Sequence, residues 1–383
     1  MEFISVDDHV QEHPNVWTER LSERKWGDRI PHVERGGDGM DYWYVDGRKL
    51  SLAGTSLATA TKSDRTQEPK QWQDIPSAAY VPADRLKAMD ADHVAYSVLY
   101  PTIAGLAGET FGRCTDAALE LACVRAYNDW LIEEWASVSK RFIPLCIVPI
   151  HPSDATVEEI ERAIAKGHRG VIYPAIPMHL REVSHINEPE YDRVWDCCEA
   201  LEVPVCFHAG SSPKTQLTAH DRIPLPLRRA LESVTRSASA VFDVSNILMS
   251  RILLRHPGLK VVFAESSVGW GPFLLEYADH QFEQDRCTGY ELRPSEMFKR
   301  QCFFTTWYER LGSSVAHIGA QNILWSTNFP FPSSSWPNSL DFINRSFEGV
   351  QDADRRSILW ENAAKLYRVT SNINENEAGN FVS

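Results

Sequence analysis

The stretch KVVFAESSVGWGPFLLE, residues 260–276, contains one complete unit of a pattern that much of the chain repeats. It begins with an apolar run over residues 260–264, whose length is typical of a buried parallel strand. The polar residues 265–267 follow, and an amphipathic stretch over residues 271–286 predicts a helix. A strand, a polar loop and a helix in this order are typical of α/β folds with a parallel sheet.

The same alternation extends in both directions along the chain and predicts eight strands in all. They cover residues 3–7, 94–100, 142–148, 170–173, 203–207, 260–264, 301–305 and 322–326. The helical stretches between them cover residues 114–140, 153–166, 189–201, 228–256, 271–286, 307–318 and 338–345. Eight strand–helix units in this length predict a (β/α)₈ barrel, the TIM barrel. The alternative is an open doubly wound sheet, but the chain has neither GxGxxG after a strand nor GxxxxGK[ST].

The regular alternation is interrupted near the N-terminus. Residues 15–82 are predicted to form an insertion after the first strand, with a β-hairpin over 42–50 that turns at Asp46-Gly47. We expect this insertion to cover the mouth of the barrel or to contact a second subunit. Residues 352–367 predict a C-terminal capping helix, and the polar tail 371–383 is expected to be disordered. The prediction is therefore a single barrel domain over residues 1–370.

Composition excludes several classes of function. The 383 residues include 52 acidic and 39 basic side chains, a net charge of −13, and no basic run long enough for nucleic acid. No segment approaches the roughly 18 consecutive apolar residues of a membrane helix. The N-terminus lacks a secretory signal pattern, and the eight cysteines include no CxxC pair. We therefore expect a soluble cytoplasmic protein with buried free thiols and a small-molecule partner, and neither a nucleic-acid nor a membrane partner.

Potential metal ligands follow three of the predicted strands. Asp7 and His9 are two residues apart on an extended chain, so both side chains point the same way. His208 follows the fifth strand and Glu265 the sixth, and the carboxyl ends of barrel strands carry the chemistry of this fold. Two imidazoles and two carboxylates suit one Zn²⁺, Mn²⁺ or Fe²⁺ ion, with zinc expected first. Any one of these histidines alone would more often be a hydrogen-bonded structural residue.

Several motifs together resemble the amidohydrolase superfamily over nearly the whole chain. The resemblance is to the branch that contains aminocarboxymuconate-semialdehyde decarboxylase and γ-resorcylate decarboxylase. The motifs are ISVDDHVQEHP at 4–14, VLYPT at 98–102, RAYNDWL at 125–131, RFIPLCIVPIHP at 141–152, FHAGSS at 207–212, FAESSVGWGPFLLE at 263–276, LWSTNFPFPSSSWPNS at 324–339 and ENAAKLY at 361–367. The resemblance implies a (β/α)₈ barrel with a mononuclear metal centre at Asp7, His9, His208 and Glu265, and a homodimer.

The eighth strand departs from the family pattern. Relatives carry a stretch like TDYPH there, whereas this chain has Thr327-Asn328-Phe329-Pro330-Phe331. Asn328 thus replaces an aspartate that binds metal and takes a proton from water, and Phe331 replaces a histidine. An amide oxygen is a weaker ligand and cannot accept that proton. The sequence therefore leaves occupancy of the metal site open.

The loss of this base favours nonoxidative decarboxylation of a small aromatic or polycyclic carboxylate over hydrolysis of an amide, ester or lactone. A metal-free barrel with His/Glu acid–base chemistry, or a protein that binds a ligand without turnover, would also fit these residues. His208, Glu265 and Asn328 are the predicted catalytic residues, and Arg113 is predicted to pair with a substrate carboxylate. An apolar pocket is expected to be lined by aromatic residues, namely Trp270, Trp307, Tyr308, Phe329 and Phe331.

Overall fold

The computed structural model describes residues 1–50, 56–215, 217, 222–287, 289 and 291–369. The strands in these residues are β1 (Phe3–His9), β2 (His32–Arg35), β3 (Asp41–Val45), β4 (Arg48–Lys49), β5 (Val94–Tyr100), β6 (Phe142–Pro144), β7 (Cys146–Ile147), β8 (Val171–Ile172), β9 (Val205–His208), β10 (Val261–Ala264), β11 (Cys302–Thr306) and β12 (Ile323–Trp325). Every predicted strand overlaps one or two of them.

The barrel consists of eight strand positions that pair in parallel. One sheet has the order β1-β5-β6 and the other the order β7-β8-β9-β10-β11-β12. Only Leu145 separates β6 from β7, so these two segments form one strand position that joins the sheets. Backbone hydrogen bonds close the ring between its first and last positions: His9 donates to the Phe329 carbonyl at 2.6 Å, and Asn328 donates to the Asp7 carbonyl at 3.0 Å. The predicted (β/α)₈ barrel is confirmed.

The helices lie between the strands and cover the barrel. They are α1 (Asn15–Thr18), α2 (Glu23–Trp26), α3 (Pro82–Ala91), α4 (Glu109–Gly112), α5 (Ala117–Trp130), α6 (Ser153–Lys166), α7 (Asp192–Ala200), α8 (Leu225–Met249), α9 (Ile252–Arg255), α10 (Gly271–Gln284), α11 (Pro294–Gln301), α12 (Gly312–Ile318), α13 (Ser339–Ser346), α14 (Asp352–Arg356) and α15 (Asn362–Leu366). No described helix is both long and apolar enough to cross a bilayer.

π-helical turns over Leu131–Ala136 and Ser357–Glu361 continue α5 and join α14 to α15. Two other helix predictions differ from the structure. The helix predicted over 307–318 begins only at Gly312. The reason is Glu309, whose carboxylate accepts hydrogen bonds from the backbone of Val268 and Gly269 and from the Thr306 hydroxyl, which holds this segment as a loop. The helix predicted over 228–256 is divided at Ser250, where the backbone is extended.

The segment between β1 and α3 contains a small antiparallel sheet of β2, β3 and β4. Asp46 and Gly47 connect β3 to β4 with φ angles of 52° and 69°, the left-handed values that a two-residue hairpin turn requires. The same segment contacts the end of the barrel, because the backbone N–H groups of Thr59 and Ala60 both donate to the Pro330 carbonyl. It therefore lies beside the loop that follows the last barrel strand.

The barrel core is apolar and fully enclosed. The strand residues of β9 and β10 are all buried, as expected for parallel strands that are covered on both faces. All eight cysteines are free thiols and six of them are buried. The C-terminal segment packs on the barrel, with Tyr367 completely buried. The predicted tail 371–383 lies outside the described residues.

Candidate active site

The centre of the site is formed at the end of β1, where Asp7 and His9 are both completely buried. They alternate with Asp8, so the strand directs Asp8 to the opposite side. Asp8 accepts hydrogen bonds from the hydroxyls of Ser5, Ser97 and Thr327 and from the Phe329 backbone. Asp8 therefore links three barrel strand positions, whereas Asp7 and His9 remain available for chemistry.

Three ligand atoms converge at this point: Oδ1 of Asp7, Nε2 of His9 and Nε2 of His208. The carboxylate oxygen lies 3.4 Å from the His9 nitrogen and 3.5 Å from the His208 nitrogen. All three atoms are buried, and none has a hydrogen-bond partner among the described residues. Leaving buried polar atoms unpaired is costly, and such exceptions call for a ligand or a function.

The outer ring nitrogens explain why the inner ones are free. His9 Nδ1 lies 2.9 Å from the Pro101 carbonyl, and His208 Nδ1 lies 2.7 Å from the Ala209 carbonyl. A carbonyl accepts only a donated proton, so each Nδ1 carries a hydrogen, and in the neutral ring each Nε2 has a free lone pair. This is the arrangement of metal-binding histidines, whose second nitrogen is held by a backbone carbonyl. The residues therefore fit one divalent cation.

The electrostatics of the centre agree with this conclusion. Burial favours the neutral form of Asp7, but the adjacent His208 and His9 outweigh it and hold the pKa of Asp7 below its usual range. Burial likewise lowers the pKa of His208, but the Asp7 carboxylate overcomes this effect and raises the pKa to about 9. The carboxylate thus attracts a positive charge to the centre, and a cation there would compete with the proton on His208.

Glu265 lies beside the three converging atoms rather than among them, and its role as a metal ligand stays a prediction. Its Oε2 lies 3.9 Å from Nδ1 of His208, on the outer side of that ring. The position of the carboxylate is fixed at Oε1, which accepts a hydrogen bond from Asn328 Nδ2 at 3.2 Å. Oε2 is buried without a hydrogen-bond partner among the described residues, so this oxygen is available to a substrate.

Asn328 is held by two hydrogen bonds from its amide nitrogen, to Glu265 and to Ser333 Oγ at 2.9 Å. Its Oδ1 is buried and unpaired within the described chain. The backbone of Glu265 and Asn328 has φ angles of 49° and 54°, in the left-handed region that costs energy for residues other than glycine. Such strain is concentrated at functional sites because the surrounding structure must maintain it.

Three residues of this site were not predicted from the sequence. Tyr100 lies with its ring 5.4 Å from that of His208, and its hydroxyl is buried and unpaired in the described residues. Asp243 on α8 is buried, which raises the pKa of its carboxyl to about 8, with a smaller opposing effect from His208. Glu109 is buried as well, and its pKa is raised for the same reason. Of these three residues, only Tyr100 could have been found from the sequence, because it ends a predicted strand.

A cavity of about 710 Å³ opens beside this centre and is lined in part by the segment between β1 and α3. Phe331 connects it to the centre, because its ring stacks on His9 with centroids 4.2 Å apart. Arg113 also lines the cavity.

The remaining aromatic residues predicted to line a pocket lie outside this cavity. Trp270 packs against Phe304 and donates to the Ser266 carbonyl, and Trp307 packs against Tyr308. Tyr308 is 45% exposed, and Phe329 packs under the Arg85 guanidinium. Phe331 is the one member of the group that lines this cavity, and the aromatic, apolar pocket stays a prediction.

Comparisons with known proteins bear on the fold and the family of this chain. A γ-resorcylate decarboxylase from Rhizobium sp. (strain MTP-10005) is 24% identical over 341 residues, which cover 79% of this chain and 95% of the relative. A crystal structure of an amidohydrolase from Mycobacterium avium subsp. paratuberculosis K-10 has a TM-score of 0.79 at 20% identity, over 96% of this chain and 99% of the other. A dihydroxybenzoic acid decarboxylase from Polaromonas sp. JS666, with bound manganese and the inhibitor 2-nitroresorcinol, has a TM-score of 0.60 at 20% identity, over 84% and 96%.

These structures show the fold, and the relatives confirm the branch that the sequence motifs indicated. The family model described as amidohydrolase matches residues 69–369. That range includes His208, Glu265 and Asn328, whereas Asp7 and His9 precede it. Because the match covers well over half of the 383 residues, the chain belongs to the amidohydrolase family.

Proposed function

We propose that this protein is a metal-dependent lyase that decarboxylates a small aromatic carboxylate without an oxidant. The observation that carries the proposal is the set of three unpaired ligand atoms of Asp7, His9 and His208 beside a cavity lined with arginine side chains. A cation and guanidinium groups in one site suit a carboxylate substrate. The relatives named as decarboxylases of aromatic acids support the same reaction.

A divalent cation held by Asp7, His9 and His208 would supply positive charge that orients the substrate and stabilises charge developing on its oxygens. The relative from Polaromonas contains manganese, so we propose manganese beside the zinc that the residue types predicted. Arg113 would pair with a substrate carboxylate, and Phe331 would contact the aromatic ring. The protonation step then falls to a side chain near the centre.

We assign this step to Glu265, because its Oε2 is buried and free of hydrogen bonds within the described chain. In its acid form, Glu265 would transfer a proton to the ring carbon that bears the carboxylate. The bond between that carbon and the carboxylate then breaks, its electron pair returns to the ring, and CO₂ leaves. Solvent returns the proton to Glu265. Asn328 would hold the Glu265 carboxyl in position through its amide nitrogen.

Hydrolysis is the second candidate, and one observation favours it: the free Oε2 of Glu265 could accept a proton from water. Decarboxylation is preferred because Asn328, which takes the place of an aspartate base, offers no basic group. If neither reaction is found, metal-free acid–base chemistry or ligand binding without turnover would account for the site. A homodimer and a cytoplasmic location also remain proposals that rest on the family resemblance and on composition.

Incubation of the manganese-loaded protein with 2,6-dihydroxybenzoate and 5-carboxyvanillate in D₂O tests the reaction. We expect CO₂ release and one deuterium at the ring carbon that lost the carboxylate. Glu265→Gln should reduce kcat by about 100-fold or more, because an amide cannot deliver the proton. Glu232→Gln, an exposed change on the cavity wall, is the matched control. Ester or lactone hydrolysis without CO₂ release would instead establish the second candidate.

A further inference from the structure

The cavity wall carries more positive than negative side chains, although the whole chain has a net charge of −13. Its cationic residues are Arg48, Lys49, Arg113, Arg228, Arg229 and Arg236. Its acidic residues are Glu68, Glu109 and Glu232. Burial raises the pKa of both Glu68 and Glu109, and the six cationic side chains outnumber the three acidic ones. The cavity therefore attracts anions.

Some of these cations already have partners. Arg229 lies 2.9 Å from the Glu68 carboxylate. Arg48 lies 3.6 Å from Asp46 and donates to the Arg113 carbonyl. The Lys49 ammonium lies 3.1 Å from the centroid of the Tyr42 ring. These groups are held by the protein and have less capacity left for a ligand.

The guanidinium groups of Arg113 and Arg236 differ from the others. Within the described part of the chain, neither has a hydrogen bond or an ion pair. Arg113 follows α4, in the connection after β5, whereas Arg236 lies on α8, in the connection after β9. Both are partly buried. Two separate connections thus each direct one unpaired cation to the same cavity. Two such cations exceed what a single carboxylate needs.

Arg236 is fixed close to the metal-binding strand. Its side-chain stem lies against Gly210, two residues after His208, so that a Cβ atom at position 210 would come within 2.7 Å of Arg236 Cγ. Ser239 reinforces this contact, because its hydroxyl accepts a hydrogen bond from the Gly210 backbone at 2.9 Å and donates to the Arg236 carbonyl at 2.6 Å. The glycine at position 210 therefore leaves room for the Arg236 side chain at the cavity wall.

We infer that the substrate carries a second anionic group, distinct from the carboxylate that is lost, and that Arg236 binds it. This inference rests on the proposed function, and it makes Arg236 a residue that determines specificity. This group is a carboxylate or a phosphate on the end of the substrate away from the metal. Arg236 recognises such a group through charge-assisted hydrogen bonds from its planar fork.

Calorimetry on the manganese-loaded protein with unreactive nitrophenols tests the inference. The probes are 4-hydroxy-3-nitrobenzoate, 4-hydroxy-3-nitrophenylacetate and 3-(4-hydroxy-3-nitrophenyl)propionate, each beside its uncharged carboxamide, together with the phosphonate analogue of the first. We expect at least one anionic probe to bind about tenfold or more tightly than its carboxamide. The carboxylate and phosphonate arms then distinguish the two sources of negative charge.

Arg236→Gln should abolish this preference and leave the affinity for the carboxamides unchanged. Arg48→Gln is the matched control, since it removes the same charge from the same cavity at a side chain that already has partners, and the preference should persist. Arg236→Lys should retain part of it, because the charge remains while the planar fork is lost. Thermal unfolding of each variant checks that the fold is intact.

Equal affinity for the charged and uncharged probes would overturn the inference, as would equal weakening of both by Arg236→Gln or no binding of any probe. The two proposals can fail separately. A preference for anionic probes without CO₂ release from any carboxylate would contradict the decarboxylase proposal alone. CO₂ release without that preference would contradict the second anionic group alone.

Discussion

The backbone N–H of Glu265 donates a hydrogen bond to Oδ2 of Asp7 at 2.9 Å. This contact fixes the Asp7 carboxylate and leaves its other oxygen, Oδ1, unpaired beside His9 and His208. The strained backbone at Glu265, with φ at 49°, belongs to the same residue that orients the carboxylate. A residue of the sixth strand position thus prepares a ligand on the first.

Asp7→Asn should therefore eliminate metal binding while the fold remains intact. An amide oxygen carries no net charge, so the variant loses the group that attracts the cation between two imidazoles. Elemental analysis after reconstitution with manganese should fall from about one equivalent to less than about 0.1. Asp341→Asn, an exposed change, should keep the full equivalent. Full occupancy in Asp7→Asn would refute the assignment of this residue as a ligand.

Asp8, the neighbour of Asp7, should affect the stability of the fold. Asp8 accepts four hydrogen bonds from three strand positions and their loops, and Asp8→Asn would place amide hydrogens against these donors. We expect a loss of about 3 kcal/mol in the free energy of unfolding, measured by urea denaturation. Asp341→Asn should change it by less than about 0.5 kcal/mol. A wild-type midpoint for Asp8→Asn would show that these bonds contribute little.

The strand ends were predictable from the sequence, because each barrel strand is an apolar run and the polar residues directly after it must lie at one face of the barrel. Asp7, His9 and His208 were selected in this way, and the structure brings their side chains together. The eight strand positions follow from the same runs, and only their ends differ by one or two residues.

The helix-borne groups were not predictable in the same way. Asp243 and Arg236 lie on α8, a helix of 25 residues, and its rotation about its own axis is set by packing against the barrel. Sequence periodicity does not give that rotation. Sequence periodicity likewise does not show that the Glu265 carboxylate accepts a hydrogen bond from Asn328 and lies outside the three converging atoms.

Asn328→Asp should strengthen metal binding. Oδ1 of Asn328 is buried and unpaired in the described structure, and replacing the amide with a carboxylate adds a negative charge near the centre. We expect the Kd for manganese to fall by about tenfold or more, measured by competition with a chelating dye. Ser333→Ala removes one hydrogen bond of the same side chain without adding charge, and should change the Kd by less than about twofold. Weaker binding in Asn328→Asp would show that this position faces away from the cation.

The buried His168 should make the free energy of unfolding depend on pH, independently of the metal centre. Burial lowers the pKa of this imidazole to about 4, from about 6.5 in an unfolded chain. The folded protein therefore holds His168 neutral, and its contribution to stability is present above pH 6.5 and is lost as the pH falls from 6.5 towards 4. That loss amounts to about 3 kcal/mol for the full shift.

The comparison that isolates this effect is His168→Gln. The imidazole Nε2 lies 3.0 Å from the Asn128 carbonyl, and a glutamine amide can donate to the same acceptor but does not titrate. Urea denaturation at pH 7.0, 6.0, 5.0 and 4.5 should show a steeper loss of stability for the wild type than for the variant, with the two curves converging at the acidic end. Parallel curves would mean that His168 has the same pKa in the folded protein as in the unfolded chain. Its burial would then not hold the imidazole in the neutral form.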